Sequence, residues 1–308
     1  MEKISHIEEK NLLAYSHMEK NFDKVNKYIE KYKNNWSHYI EENNRIYGFN
    51  IRFIKQLSNL YNTNVFAVEF FFKNIVSLFN NEDNEKIKSV IEKLERTMLN
   101  RKGYYIIKIP SSNMMLINNI NLVKEKFIFA GNTINYCTNT LSKSNDFFND
   151  GLEICIANQE RKSIHAQELL KLSENSFKDH FTQYHLSHIT REKAPHIYKN
   201  WIYEYLGHSP TKKIIISKYD NKLAGFIAYN EHNEYLEIIL NCVDEKFRGR
   251  KIYERMVKEV IKNAINNNKY VTVSTQLDNY FPQRAWINCG LKPYYSFYLM
   301  HYSNLGWS

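Results

Sequence analysis

Cysteine is scarce in this chain: four among 308 residues, at Cys137, Cys155, Cys242 and Cys289. No two have the spacing of a metal knuckle or a redox pair, which argues against a disulfide framework and a cysteine-based zinc site. All but Cys289 lie in apolar, strand-like contexts, as expected of buried free thiols in a reducing compartment. Long apolar runs are missing too. The longest candidate, NVFAVEFFFKNIVSLF (Asn64–Phe79), is interrupted by Glu69 and Lys73, and a bilayer span needs about 20 apolar residues. The opening MEKISHIEEK is charged throughout, so no secretory leader is expected there. A cytoplasmic protein that does not engage a membrane is the expectation. A dense Lys/Arg stripe is also lacking, despite a formal charge of +9. The lysines alternate with glutamates and asparagines, so nucleic acid is not an expected partner. The surplus suits a solvated surface with some steering of an anionic ligand.

Core-forming residues are abundant. Hydrophobic residues make up 43% and aromatics 15%, enough to exclude disorder beyond the ends, and the length accommodates two domains. Residues 1–45 carry helix-like apolar spacing at Leu12, Leu13, Met18, Phe22, Val25, Tyr28 and Ile29. The pattern then predicts a strand over Tyr47–Leu57, a helix over Phe66–Phe79 and a helix over Glu85–Leu99 ended by Gly103. A strand follows at Tyr104–Ile109, closed by Pro110, then a helix at Met114–Val123 and one or two strands in Phe127–Thr138. The polar stretch Asn139–Gly151 is the candidate boundary, giving domains 1–145 and 146–308.

The second half predicts strand Leu152–Ala157, helices His165–Phe177 and Glu192–Leu206, and strands Lys213–Asp220 and Leu223–Asn230 joined at Asp220-Asn221-Lys222. Strand Tyr235–Val243, helix Ile252–Asn266, strand Tyr270–Gln276, helix Pro282–Asn288 and a final strand pair around Tyr294–Tyr302 complete it. Alternating helices and strands around a hairpin indicate an α/β domain.

After strand YLEIILNCV, EKFRGRKIYERM (Glu245–Met256) runs into the following helix. Strand, tight turn, helix is the context of a phosphate-cradling loop, whose amides bind anions at a helix N-terminus. Downstream stands DNYFPQRAWINCGLKP (Asp278–Pro293) and upstream LAGFIAYN. With these three segments in this order, residues 152–302 resemble the GNAT superfamily of acyl-coenzyme A-dependent N-acetyltransferases. The resemblance implies a mixed, mostly antiparallel twisted sheet flanked by helices. LSENSFKDHFTQYHLSHITREKAPHIYKNWI (Leu172–Ile202), VSTQLDNYFPQRAW and SFYLMH are similar to the dTDP-fucosamine acetyltransferase-like branch. That branch acylates nucleotide-linked amino sugars. RIYGFNI, KGYYIIKIP and EKFIFAGNTINYC resemble its incomplete GNAT-like N-terminal domain.

The resemblance implies acetyl-CoA or another acyl-CoA as co-substrate, direct attack by the acceptor amine, and no metal. By it, Leu240–Val243 lend backbone pairing to pantetheine, with an N–H near Leu240 or Cys242 facing the thioester carbonyl. Arg248, Gly249, Arg250, Lys251, Ile252 and Tyr253 form the pyrophosphate loop. Arg248 matches the family pattern, whereas Lys251 and Tyr253 replace its two small residues. Lys251 is tolerable if its φ stays negative, since the amide then survives. Asn279 would bond pantetheine or a water, or else cap the helix that follows.

Trp286 holds the place of the usual tyrosine acid, and an indole N–H is a donor without useful acidity. The thiolate would then take its proton from water, the substrate ammonium, or a phenol such as Tyr280, Tyr295 or Tyr298. Glu237 and His301 are the candidate bases; an ion-paired glutamate and a satisfied core histidine are the plain alternatives. His180, His185, His188 and His196 lack metal-site spacing. With Phe181 and Tyr184, several of them suit a wall over a sugar or base. The acceptor expected is the amine of a nucleotide-linked amino sugar, with a homodimer possible. The rivals are acylation of another small-molecule or protein amine, and a catalytically silent GNAT-like binding module.

Overall fold

The computed structural model describes residues 37–42, 45–73, 81–111, 127–138, 151–178, 182–185 and 188–305. The helices expected in 1–36 and 114–123, and the polar stretch 139–150, lie outside the described residues. Two compact units form. The first holds the described chain up to Asn132 and again from Tyr295; the second holds most of the chain from Thr133 to Tyr294.

In the first unit, β1 (His38–Glu42) pairs antiparallel with β2 (Arg45–Phe53), and β2 with β3 (Val65–Lys73). A short helix, α1 (Lys55–Tyr61), links β2 to β3, and α2 (Asn81–Asn100) links β3 to its parallel neighbour β4 (Tyr104–Pro110). The last strand of the chain, β11 (Lys292–Ser303), pairs antiparallel with β4. Apolar residues of α2 at helical spacing (Ile87, Val90, Ile91, Leu94, Met98) are buried against Phe49, Phe66, Val68, Tyr105 and Ile107. Each such side chain contributes about 1.5–3 kcal/mol when fully buried.

Four expectations fail here. The segment read as a helix over Phe66–Phe79 is strand β3 as far as Lys73. Its Phe66, Ala67, Val68 and Phe70 are all buried, on both faces of the strand. Burial on both faces erases the alternation that marks a half-exposed strand. His38–Glu42, read as helical, is an edge strand. The strand expected to Leu57 stops at Phe53, and Lys55 starts α1. The final strand pair is one strand of 12 residues.

In the second unit, β6 (Leu152–Ile156), β7 (Lys212–Tyr219), β8 (Lys222–Glu231) and β9 (Tyr235–Val243) pair antiparallel in that order. β10 (Tyr270–Gln276) runs parallel to β9, and its far edge takes β5 (Phe127–Thr138), antiparallel through Thr133–Thr138. The β7–β8 hairpin turns on Asp220 and Asn221, both at positive φ (49° and 62°), the geometry of a tight two-residue hairpin. Helices α3 (Gln159–Ile164), α4 (Ala166–Lys178) and α5 (Ala194–Leu206) precede β7, α6 (Ile252–Asn266) links β9 to β10, and α7 (Tyr280–Asn288) follows β10. Met256, Val257, Val260, Ile261 and Ala264 form the buried stripe of α6, packed with Ile227, Leu236, Ile238, Val271 and Val273.

Both units share one order: antiparallel strands, a strand, a helix, a parallel strand. Each is completed by a strand remote in sequence, β11 beside β4 and β5 beside β10. No helix among the described residues is long and apolar enough to cross a membrane.

Candidate functional site

The site grows from a defect in the β9–β10 ladder. The strands pair from Tyr235/Tyr270 to Ile238/Val273. Beyond that point β9 continues to Val243 beside β8, while Ser274–Gln276 pair with β5 on the other side. A register shift puts Ala228 opposite Leu240 and Tyr229 opposite Ile238, so Ile239 is the extra residue of a bulge, a device that bends a strand out of its ladder. The parted strands leave a cleft.

Two cavities line it. The larger, about 700 Å³, is walled by Asn241, Cys242 and Val243 of β9, by Arg248, Gly249 and Lys251 of the loop, and by Ile252, Tyr253 and Glu254 of the first turn of α6. Asn175–Phe177 of α4 and Asn279, Phe281, Pro282 and Ala285 also border it. The smaller, about 230 Å³, lies between Ile239–Asn241 and Ser274–Gln276, with Thr182, Tyr184, Tyr198, Trp201 and Trp286 around it. Asn241 and Asn279 border both.

Backbone phase decides which amides of β9 face the cleft. The Asp244 N–H donates to the Ala224 carbonyl at 2.9 Å. Cys242 stands opposite Phe226 and Leu240 opposite Ala228, in the same phase. Antiparallel pairing alternates, so the N–H groups of Leu240 and Cys242 turn toward β8, and those of Asn241 and Val243 turn toward the cleft. The cleft-facing amide expected near Leu240 or Cys242 is therefore that of Asn241, which lies between them. Burial raises the Cys242 thiol to about 12, which leaves it a protonated wall residue.

The loop departs from expectation at Lys251. Its φ is +56°, and it caps α6 without a side-chain hydrogen bond. Gly249, two residues earlier, has φ +78° and open space where a Cβ would stand. The loop therefore makes two left-handed steps, and the second falls on a lysine. Arg248 donates through Nε to the Val243 carbonyl at 3.3 Å. Arg250 leaves the cleft and lies over the Tyr219 ring, 4.6 Å from its centroid.

Asn279 is the residue before α7, yet its side chain makes no capping bond; Nδ2 donates to Thr275 Oγ1 at 3.0 Å. Trp286 is buried and its indole Nε1–H donates to Tyr253 Oη at 2.5 Å. Desolvation pushes the Tyr253 phenol far above its ordinary pKa, with the Trp286 hydrogen bond opposing.

Four expected site residues do not border either cavity. Glu237 accepts from His232 Nε2 at 3.2 Å. His301 is fully buried in the first unit, 2.7 Å from Tyr104 Oη, and burial lowers its pKa to about 3. Tyr298 packs on the first unit's core and tilts against Phe129. Arg250 is the fourth. Of the alternative phenols, Tyr295 is buried and Tyr280 is 70% exposed. His301 and Tyr298 are displaced for one reason: from Tyr295 onward β11 belongs to the first unit. In exchange β5 brings Thr133 to the smaller cavity and sets Tyr136 edge-on against Trp286, its hydroxyl donating to Gln283 Oε1 at 3.0 Å. No local signal in the sequence marked these two residues, because strand exchange is a long-range event.

The histidine-rich segment supplies Tyr184, which borders the smaller cavity with Tyr198 and Trp201 in edge-to-face contacts. His185 Nδ1 accepts from the Thr182 N–H at 3.0 Å. Phe181 and His180 lie outside the described residues. Among the described residues no group of three or more His, Cys, Asp or Glu is placed to hold a metal ion.

Residues 174–290 match the acetyltransferase (GNAT) family model. The chain is similar in structure to a conserved protein of unknown function from Staphylococcus epidermidis (15% identity, 89% of this chain and 97% of that one, TM-score 0.54). It is also similar to a GCN5-related N-acetyltransferase from Sphaerobacter thermophilus (10% identity, 84% of this chain and 76% of that one, TM-score 0.51). At these identities the likeness is one of fold. No curated protein matches the chain.

Proposed function

From the GNAT acetyltransferase domain over residues 174–290, we propose an acyl-coenzyme A-dependent N-acyltransferase whose acceptor is the amine of an amino sugar, carried on a nucleotide. The observation that carries the acyl-transfer reading is the parting of β9 from β10 beside the loop that opens α6. The bound co-substrate supplies an activated thioester carbonyl.

The chain's own groups fit it. Arg248 and Lys251 place positive charge at the start of α6, whose opening amides and dipole favour a pyrophosphate. The Asn241 and Val243 N–H groups supply fixed donors for the oxygen that gains charge on attack. The bulged strand offers an unpaired edge along which an extended pantetheine can lie as a strand would.

The acceptor half of the reading is supported by the chemistry of the smaller cavity. Tyr184, Tyr198 and Trp201 give apolar faces; Thr182, Gln183, Ser274 and Thr275 give neutral hydrogen-bonding groups; among the described residues none bordering it is charged. A hydroxylated ring with one neutral amine suits such a wall. A polycation would be desolvated there with no carboxylate partner among the described residues, at high cost. The nucleotide portion rests on the resemblance to the amino-sugar branch and on the aromatic faces available for stacking.

A thermal-shift titration with acetyl-CoA tests the first half: ligand at 100 times Kd stabilises by about 2.7 kcal/mol. No shift at millimolar ligand overturns the acyltransferase reading. Thiol release on a panel of nucleotide-linked amino sugars tests the second; turnover confined to polyamines or peptides overturns it.

A further inference from the structure

The contact between Trp286 and Tyr253 fixes the direction of a proton. Indole nitrogen carries a hydrogen and has no lone pair to accept one. In the 2.5 Å contact with Tyr253 Oη the indole is therefore the donor and the phenol oxygen the acceptor. The hydroxyl hydrogen of Tyr253 must point elsewhere, and no acceptor for it is found among the described residues. Tyr253 borders the larger cavity and Trp286 the smaller, with Asn279 common to both. Tyr253 thus stands between the larger cavity and Trp286, protonated, with no acceptor for its hydrogen among the described residues.

Resting on the acyltransferase reading, we propose that Tyr253 is the proton donor to the leaving thiolate, and that the Trp286 indole stabilises the phenolate it leaves behind. The acid has moved from α7 to the first turn of α6, and the tryptophan in its former place has become its hydrogen-bond support. In the step, the acceptor nitrogen forms the N–C bond with its lone pair. The C–S bond breaks, its electron pair stays on sulfur, and sulfur takes the Tyr253 proton. The proton released by the acylated nitrogen returns to the phenolate through solvent, so one thioester and one amine become one amide and one thiol. A phenolate in this buried position is costly by desolvation, and the indole N–H is the group in contact that lowers that cost.

The larger departures of the loop and of α7 from the family pattern are then one feature. A bulky residue at position 253 is needed to bring a phenol to Trp286, which is 33 residues away in sequence.

The test uses Tyr253→Phe and Trp286→Phe in the full chain, with a binding readout beside turnover. For Tyr253→Phe, kcat falls by about 10²–10³, within the range that general acids supply, while Kd for acetyl-CoA stays within about threefold. Trp286→Phe gives a smaller loss of kcat. The binding readout compares coenzyme A with its S-methyl thioether, which cannot ionise, between pH 7 and 10. A phenol that donates to the thiolate makes wild-type affinity for coenzyme A rise about tenfold relative to the thioether as the thiol ionises. In Tyr253→Phe that rise is absent. Unchanged kcat in Tyr253→Phe, an effect on Kd alone, or the same pH-dependent rise in both proteins overturns the assignment while leaving the acyltransferase reading intact. Failure of the wild-type chain to bind coenzyme A at all overturns both.

Discussion

His301 Nδ1 lies 2.7 Å from Tyr104 Oη, between β11 and its antiparallel neighbour β4, and no surface of the imidazole reaches solvent. A histidine held this way is a neutral packing residue. Burial lowers its folded pKa to about 3 from 6.5, so the unfolded chain takes up this proton first as pH falls. The contribution is complete above pH 6.5 and is lost between pH 6.5 and 3, at up to about 1.4 kcal/mol per pH unit. Urea midpoints measured across that window are expected to fall with pH in the wild type. In His301→Phe this component of the slope disappears. The same variant should cost about 1–3 kcal/mol at neutral pH, because the Tyr104 hydroxyl loses this buried partner. A wild-type midpoint that is flat from pH 6.5 to 4 would contradict the assignment.

Lys251→Gly should move stability and ligand binding in opposite directions. A non-glycine residue at φ +56° is strained, and relief of a left-handed residue is worth about 1 kcal/mol. That corresponds to a rise in Tm of about 2–4 °C for a domain of this size. Loss of the ammonium beside the loop should weaken acetyl-CoA binding severalfold by calorimetry. A drop in Tm would show that the lysine is held by more than its backbone.

Gly225 on β8 leaves no room for a side chain. A Cβ there would stand 2.7 Å from the Cys242 carbonyl oxygen and 3.1 Å from Met256 Cε. Backbone cannot yield as a flexible side chain does, so Gly225→Ala is expected to destabilise by about 1–3 kcal/mol. It should also raise Kd for acetyl-CoA, because the strain falls on the strand that edges the cleft. Chemical unfolding and calorimetry on the same variant would check both effects.

Trp201 meets Tyr184 and Tyr198 edge-to-face beside the smaller cavity. Under the acceptor reading, Trp201→Ala raises KM for the amine about tenfold or more, while Kd for acetyl-CoA changes little. Equal losses in both would place Trp201 in general packing rather than in acceptor binding.

Much of the second unit was legible from local pattern. Tyr235–Val243, Ile252–Asn266 and Tyr270–Gln276 have the bounds their periodicity predicts. Apolar spacing in α6 reports one buried face, and Asp220-Asn221 reports a tight turn, both set by near neighbours in the chain. β3 was illegible for the converse reason: both of its faces are buried, and a continuous apolar run carries no period. The φ of Lys251 was equally hidden, since side-chain chemistry argues against the left-handed step that the loop's geometry imposes.

The sequence by itself determined most elements of the second unit and the loop that opens α6. These depend on residues a few positions apart. Only the tertiary structure decided that β5 completes the sheet of the second unit and β11 that of the first. That exchange places His301 and Tyr298 in the first unit and sets Thr133 and Tyr136 around the cleft of the second. It likewise decided that Tyr253 meets Trp286. Strand partners and side-chain contacts across 33 or more positions are chosen by the burial and hydrogen bonding of the whole unit, and no local window of residues encodes that choice.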